Sequence, residues 1–528
     1  MSGLAAAAPL AATSGGRGFT HGVASGEPTS GSVLLWTRFA GAQDTQLTYV
    51  VREMDANRRV VAEGTALASS DTDWCAKAVA SGLEPGRWYT YQFTAPDGST
   101  SADGRTRTLP VGDVSRFRMA VFSCSNKGFG WFNAYAHAAE ANEFDLVLHL
   151  GDYFYEYGAG TYPDAESTIA DREISPASET LKLADYRARF ASYRADPDLQ
   201  RLHQIYPMVL GWDDHETAND SWSGGAENHD VATEGTWRAR TDAATRAYRE
   251  WLPVSDEPWA AYEIGQLATL YRLETRLTNR SEQFDIGTVL RGGKSPDEMM
   301  AALAAFREGA YRDSSREMLG QAQQDWLANG LKRSRSDGKT WQVLAQQVLM
   351  GQVSSNADLL DAIVDRAPAA VQGRLRAASL ASRAGLPLNM DAWDGYPAAR
   401  ERLLVSALNA DANLISLAGD THNAWAFDLT HDGMAAGVEF GGQSVTSPGF
   451  ETYLPGLPPE MLAASTMQSS PQLTWTDTSQ RGYMAVELTP ASAVCDWRFT
   501  QRVRKRSARL AGSHRMTTAA GTNKLAQG

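Results

Sequence analysis

Between Gly31 and Ala95 short apolar runs alternate with polar positions: GSVLLWTRF, QLTYVVREM, NRRVVAEGTAL and GRWYTYQFTA, separated by turn residues that include LEPG and APDG. A period of two with frequent turns predicts strands with one buried face. Several of them within residues 18–110 predict a small all-β sandwich. From Phe117 the pattern changes: FRMAVFSCS, then WFNAYAHAAEANE, then FDLVLHLGD. Strands alternating with helical stretches predict α/β layering, with the domain boundary near TLPVGDVSR. FDLVLHL is the near-continuous apolar run of a strand buried on both faces of a parallel sheet. LADYRARFASYR and RTDAATRAYREWL read as amphipathic helices. The basic RVRKRSARLAGSHR and the small polar residues after it read as peripheral, so the catalytic part is set at residues 111–505 and a C-terminal tail at 506–528.

Composition narrows the function classes. At 528 residues the chain exceeds one ordinary domain. A net charge of −13 argues against a nucleic-acid-binding surface. No apolar window reaches the length of a transmembrane helix. Cys75, Cys124 and Cys495 cannot all pair within one chain, so at least one thiol is free. The opening MSGLAAAAPLAATSGG resembles the tail of a secretory leader without its basic region. Residues 1–17 are accordingly a leader remnant or a flexible terminus, and export is the expectation.

The ends of the apolar runs carry the chemistry. MAVFSCS ends at Cys124, LVLHLGD at Asp152, YPMVLGWDDHE at Asp214 and His215, TWQVLAQQ at Gln346 and Gln347, and NLISLAGDTH at Asp420 and His422. One carboxylate behind a strand is readily a helix cap, and a lone cysteine there is readily a small core hydrophobe. Five such endings in order are hard to attribute to capping. If these strands are neighbours, their ends converge on one rim, as a metal-assisted hydrolase requires. Thiolate, phenolate and imidazole from Cys124, Tyr155 and His422 suit a transition metal. Oxygen donors such as Asp214 and Asp420 suit a harder ion such as calcium, magnesium or manganese, with Asp152 between the two sites.

The ordered blocks resemble the alkaline phosphatase D (PhoD-like) metallophosphoesterases over nearly the whole chain. They are FTHGVASGEPTSGSVLLWTR, SC at Ser123 and Cys124, HLGDYFYEYG, YRARFASYRADPDLQRLHQIYP, WDDHE, LGQAQQDWL, WQVLAQQVLM, WDGYPAARERLL and LAGDTH. Glu27 stands where Asp is common, and LETR carries Glu274 where the family usually has Asp, outside the ligand set.

The resemblance implies a calcineurin-like four-layer α/β sandwich behind an N-terminal Ig/fibronectin-like β-sandwich, and a binuclear centre of iron with calcium or another divalent ion. Cys124, Asp152, Tyr155 and His422 match the iron ligands, and Asp152 also bridges to the second metal. Asp214 takes the place of the asparagine of a GNHE motif and Asp420 that of the first histidine of an HxH motif. Either Gln346 or Gln347 stands for a remaining ligand. His215 matches the histidine that stabilises the transition state or protonates the leaving group, and Asp213 and Glu216 are read as its orienting partners. Tyr153, Tyr157, Trp393 and Tyr396 are read as packing residues.

The implied activity is hydrolysis of small-molecule phosphomonoesters or phosphodiesters by a metal-bound hydroxide. A phospholipase D-type phosphodiesterase acting on phospholipid is the alternative, and a non-catalytic extracellular binding protein the less favoured one. Segments 159–185, 219–235 and 352–390 would set substrate preference.

Overall fold

The structure is a computed structural model that describes residues 17–528 except 294, 368 and 455, without the side chains of 366, 369 and 370. The N-terminal part supplies β1 (Gly18–Gly26), β2 (Ser32–Ala40), β3 (Thr45–Glu53), β4 (Val60–Ala68), β5 (Cys75–Ser81), β6 (Trp88–Thr94) and β7 (Gly104–Arg107). Next come β8 (Phe117–Phe122), β9 (Leu146–His149), β10 (Pro207–Leu210), β11 (Ala260–Ile264), β12 (Ala268–Arg272), β13 (Trp341–Ala345) and β14 (Leu414–Ala418). The chain closes with β15 (Ala424–His431), β16 (Met434–Gly441), β17 (Leu473–Asp477), β18 (Gly482–Leu488), β19 (Ser492–Thr500), β20 (Leu510–Ala519) and β21 (Leu525–Gln527).

Two large sheets result, in the orders β21-β20-β19-β18-β8-β9-β10-β1-β2-β5 and β11-β12-β13-β14-β16-β15-β17. Alternation along the strands explains how they stack, because successive side chains leave opposite faces. Met119, Val121, Leu146 and Leu148 of the first sheet meet Leu270, Val343, Ile415 and Val438 of the second in one core. The intervening Ala120, Phe122 and Val147 turn outward onto helices Asn133–Ala141, Leu183–Arg194, Pro197–Ile205 and Trp237–Trp251, which supply Tyr135, Phe190, Leu202 and Tyr248. On the far side, Tyr271, Leu344 and Leu414 pack under helices Gly320–Ser336 and Pro397–Asn409 through Leu327, Leu331, Leu403 and Leu404. Each such fully buried aliphatic side chain stabilises the fold by about 1.5–3 kcal/mol.

Residues 18–110 also form two facing sheets, with Val33 and Leu35 on one side and Leu47, Val51 and Phe93 on the other. One of these sheets is shared. β1 runs parallel to β10, with Ser25 opposite Pro207 and Gly26 opposite Met208, so β1, β2 and β5 extend the sheet that carries Asp152. Residues 18–110 are therefore continuous with the α/β part through backbone hydrogen bonds.

The reading of 506–528 as a peripheral tail is corrected. β20 pairs antiparallel with β19 from Ser492↔Ala519 to Thr500↔Leu510, β21 pairs with β20, and Met516 and Leu525 enter the core between the large sheets. LAGSHRMTTA hides this because its basic and small residues lie outward and leave only a faint alternation. The leader-like segment 1–17 lies, Arg17 apart, outside the described residues.

Candidate metal centre

The strand ends converge, but from two sheets rather than one. β8, β9 and β10 are adjacent and parallel in the first sheet and deliver Cys124, Asp152 and the WDDHE turn. β13 and β14 are adjacent and parallel in the second and deliver Gln346, Gln347, Asp420 and His422. Glycines let the rims meet. A Cβ on Gly151 would lie 2.3 Å from that of Asp213, and one on Gly419 2.6 Å from that of Ser123. Cys124, Asp152, Asp420 and His422 all take left-handed backbone conformations, with φ of 59, 52, 65 and 65°. This region costs a side-chain-bearing residue about 1–2 kcal/mol, and such strain concentrates at functional sites.

Among the described residues three ligand sets lie within 4.8 Å atom to atom, buried except for the half-buried His422 and Asp420: Cys124, Asp152 and His422; Asp152, Asp214 and His215; and Asp213, Asp214 and Asp420. In the first, the Tyr155 hydroxyl donates to Asp152 Oδ2 at 3.0 Å, receives a hydrogen bond from Ser447 Oγ at 2.7 Å and lies 3.0 Å from His422 Nε2. His422 Nδ1 donates to the Pro448 carbonyl at 2.8 Å, which leaves the Nε2 lone pair facing the site. Burial lowers the His422 pKa to about 3, so the ring is neutral, as a ligand must be. Burial, reinforced by Asp152, holds the Cys124 thiol well above its ordinary range. A cation there would be needed to take the thiolate form. Burial is also the main reason the Asp152 carboxyl is pushed well up, and its Oδ1 is buried without a hydrogen-bond partner.

The other sets are crowded with acid. Asp214 Oδ2 accepts from the Asp220 amide at 2.7 Å, while Asp214 Oδ1 and Asp213 Oδ2 are buried without partners. Arg276 threads between the carboxylates. Its Nε donates to Asp213 at 2.5 Å, Nη1 to both oxygens of Asp391 at 2.7 and 2.9 Å, and Nη2 to Asp420 at 3.2 Å, with Asp214 at 3.8 Å. Arg280 also binds Asp391. An unpartnered oxygen on Asp152 beside a neutral thiol and imidazole, and further oxygens without hydrogen-bond partners on Asp213 and Asp214, fit a site that takes up cations, since a buried carboxylate oxygen left without a hydrogen bond is costly.

His215 is held by Glu156. Its Nδ1 lies 2.6 Å from Glu156 Oε2, and Glu156 Oε1 accepts from the Asn219 amide and Asn228 Nδ2, both at 2.8 Å. Burial opposes charge on the imidazole, but Asp214, Glu156 and Asp152 outweigh it and raise its pKa well above the ordinary value. The roles read for its neighbours are corrected. Asp213 turns to Arg276, and Glu216 accepts the amides of Asp152, Tyr153 and Asp213 at 3.1, 2.5 and 2.8 Å, pinning two strand ends together. Both face away from the imidazole because consecutive side chains of this tight turn diverge.

Several other expectations meet the structure here. Gln346 binds Trp393 Nε1 and Ser416 Oγ, and Gln347 binds Thr275 Oγ1 and the Leu273 carbonyl, so both amides are engaged by the scaffold. Trp393 and Tyr396 are fully buried core residues. Tyr157 lies 5.4 Å from His215, ring centre to ring centre. Glu274, the departure within LETR, accepts the amides of Arg276, Leu277 and Thr278 and so shapes the loop that presents Arg276. Glu156, Arg276 and Asp391 carry no spacing signal in the sequence, although Glu156 and Arg276 sit inside quoted motifs. All three cysteines are free and buried, and Cys75 and Cys495 lie in the core.

Comparison with known proteins decides the family. The model for the PhoD-like phosphatase matches residues 119–497, and that for the PhoD-like phosphatase N-terminal domain matches residues 4–110. The chain belongs to the PhoD-like phosphatase family. It is 31% identical over 507 residues to alkaline phosphatase D of Bacillus subtilis (strain 168), covering 91% of this chain and 77% of that protein. A solved structure of PhoD superposes with a TM-score of 0.79 at 28% identity, covering 98% of this chain and 93% of that one. As a PhoD-like phosphatase the protein is a metal-dependent phosphoric ester hydrolase acting on small-molecule phosphoesters, with a mixed α/β fold. Among the described residues no helix is long and apolar enough to cross a membrane.

Proposed function

We propose that the hydrolysis runs at a binuclear centre in which Cys124, Asp152, Tyr155 and His422 hold iron and Asp152, Asp214 and Asp420 hold calcium or another divalent ion. The observation that carries this reading is Asp152, which belongs at once to the set with Cys124 and His422 and to the set with Asp214 and His215, with an unpartnered oxygen to spare. When bound, the two cations supply Lewis-acid activation of water and neutralise charge on the phosphoryl oxygens. The chain's own residues do the rest. Ser447 Oγ donates to the Tyr155 oxygen and fixes it beside Asp152, and the Pro448 carbonyl fixes the His422 tautomer. His215, kept protonated by Asp214 and Glu156, donates its Nε2 proton to the leaving oxygen or stabilises charge there. Arg276 holds the acidic carboxylates in register while they await the ion.

Two facing sheets with helices outside support a calcineurin-like classification, and the facing sheets of residues 18–110 support an Ig/fibronectin-like β-sandwich. Domain limits at 18–110 and 111–505 are supported by the two family matches, with the strands after 505 added to the catalytic part. We further propose an exported enzyme, on the leader-like start and the resemblance to alkaline phosphatase D, with phosphodiesters or phospholipid head groups among its substrates.

The test is metal analysis of purified protein, followed by assays with an aryl phosphomonoester and an aryl phosphodiester before and after chelation. Loss of activity with loss of two metals per chain is expected. Full activity in metal-free protein would overturn the reading.

A further inference from the structure

A line of aromatic rings leads away from His215. The Tyr157 ring lies 5.4 Å from His215, Tyr162 lies 5.9 Å from Tyr157, and Phe129 lies 4.8 Å from Tyr162, centre to centre. Tyr162 is also 5.6 Å from Tyr155, the proposed iron ligand. Its hydroxyl meets that of Tyr453 at 3.4 Å, and Tyr453 is 44% exposed. Tyr162 lies on the segment after β9 of the first sheet and Tyr453 on the segment between β16 and β17 of the second, so the pair links the two halves of the rim.

Core tyrosines in this protein behave differently. Tyr135 and Tyr153 end on buried histidines, His149 and His203, at 2.9 and 2.8 Å. Phe129, Tyr157 and Tyr162 are instead partly exposed, beside the most polar part of the molecule. The chemistry gives such rings a use. In the reading above, His215 serves the leaving oxygen, and apart from the proposed ligand Tyr155, 4.2 Å from His215 between ring centres, the aromatic ring packed against His215 is Tyr157, with Tyr162 next to it.

We propose that Tyr157 and Tyr162, with Tyr453 as the outer edge, form the leaving-group subsite and select esters of planar aromatic alcohols. The inference rests on the role assigned to His215. Stacking of one aromatic ring on another is worth a factor of about three to ten in affinity beyond burial alone. Tyr162 is thus a specificity residue, and its exposed partner Tyr453 sets how far the subsite opens.

The experiment uses the full-length, metal-replete enzyme. Inhibition constants of phenylphosphonate and methylphosphonate are measured together with kcat/KM for benzyl phosphate and a small alkyl phosphate, whose leaving groups have similar basicity. Tyr162→Leu should cut the preference for phenylphosphonate by about three- to tenfold while the methylphosphonate constant moves by less than about twofold. Tyr162→Phe should keep the preference, because the ring remains, and Tyr453→Ala should weaken it less than Tyr162→Leu. Equal weakening of both phosphonates, or an unchanged preference in Tyr162→Leu, would overturn the subsite. Loss of the phenyl preference in His215→Gln would support it, because the subsite is entered past His215. A wild-type enzyme that hydrolyses neither these monoesters nor an aryl phosphodiester and binds neither phosphonate would overturn the phosphoesterase reading itself, and this inference with it.

Discussion

The two halves of the centre solve different electrostatic problems. The Cys124, Tyr155 and His422 half is neutral without metal: a protonated thiol, a phenol and an uncharged imidazole, tied together through Tyr155, Ser447 and Pro448. The Asp213, Asp214 and Asp420 half is crowded with acid: burial pushes the Asp213 carboxyl up to about 7 and Asp420 well above its ordinary value, while His215 and Arg276 hold Asp214 below its own against burial, and Arg276 stands among all three. The neutral half must lose protons to bind a cation, so its affinity rises with pH. The acidic half must shed protons too, from Asp213 and Asp420, and an arriving ion also shares its carboxylates with Arg276. The halves therefore differ in what an ion displaces, protons alone in the first and protons with an arginine in the second.

Six substitutions, in four groups, test that contrast from the largest effect to the smallest. Asp152→Asn removes the carboxylate that lies within reach of Cys124 and His422 on one side and of Asp214 on the other, so both metals should fall together and turnover should drop to background. A helix-capping Asp152 would tolerate Asn with little change, and retention of both metals with near-normal activity would remove the bridging role. Tyr155→Phe, by contrast, should affect iron content alone.

His215→Ala should lower kcat by about 10²–10⁴-fold with metal content intact, since its assigned work is done on the leaving oxygen. Asp214→Ala should instead deplete the divalent ion. Equal metal loss in the two variants would make His215 a ligand.

Arg276→Gln strips the acidic half of its standing cation. Stability of the chelated protein should fall by about 3–5 kcal/mol, the usual result of leaving buried carboxylates unpaired, and added calcium should recover more of the melting temperature than it adds to the wild type. A calcium response no larger than the wild type's would mean that Arg276 and the ion do not share those carboxylates.

Cys124→Ser touches only the neutral half. It should alter or abolish the thiolate charge-transfer band of the oxidised protein and weaken iron retention by more than about tenfold, with divalent-ion content unchanged. An iron-replete variant with the same spectrum would show that sulfur is not a ligand.

Much of this site was legible in the sequence because its residues follow buried strands, and a continuous apolar run such as FDLVLHL announces both the strand and its end. The residues that tune the ligands were not legible. Glu156 reaches His215 across 59 positions and Arg276 reaches Asp391 across 115, and nothing local marks either pair. The layering was readable from the change of period at Phe117, but the sharing of a sheet between β1 and β10 was not, since a strand's own pattern does not name its neighbour. β20 escaped for a simpler reason: a strand next to the sheet edge with one damp face needs few apolar residues.

The order of strands in the first sheet has a consequence for how the chain reaches this state. Its middle is a seam between β8 and β18, joining Val121 to Met484, and β1 finds its parallel partner only at Pro207. Such pairings are entropically distant and slow to form. A ribosome releasing this chain would expose the edges of β8 and β1 through most of synthesis, and the rim that brings Cys124 to Asp152 would be braced only after β18 and β19 had emerged. The centre is therefore assembled last, and metal loading is an event of the finished chain rather than of its first half.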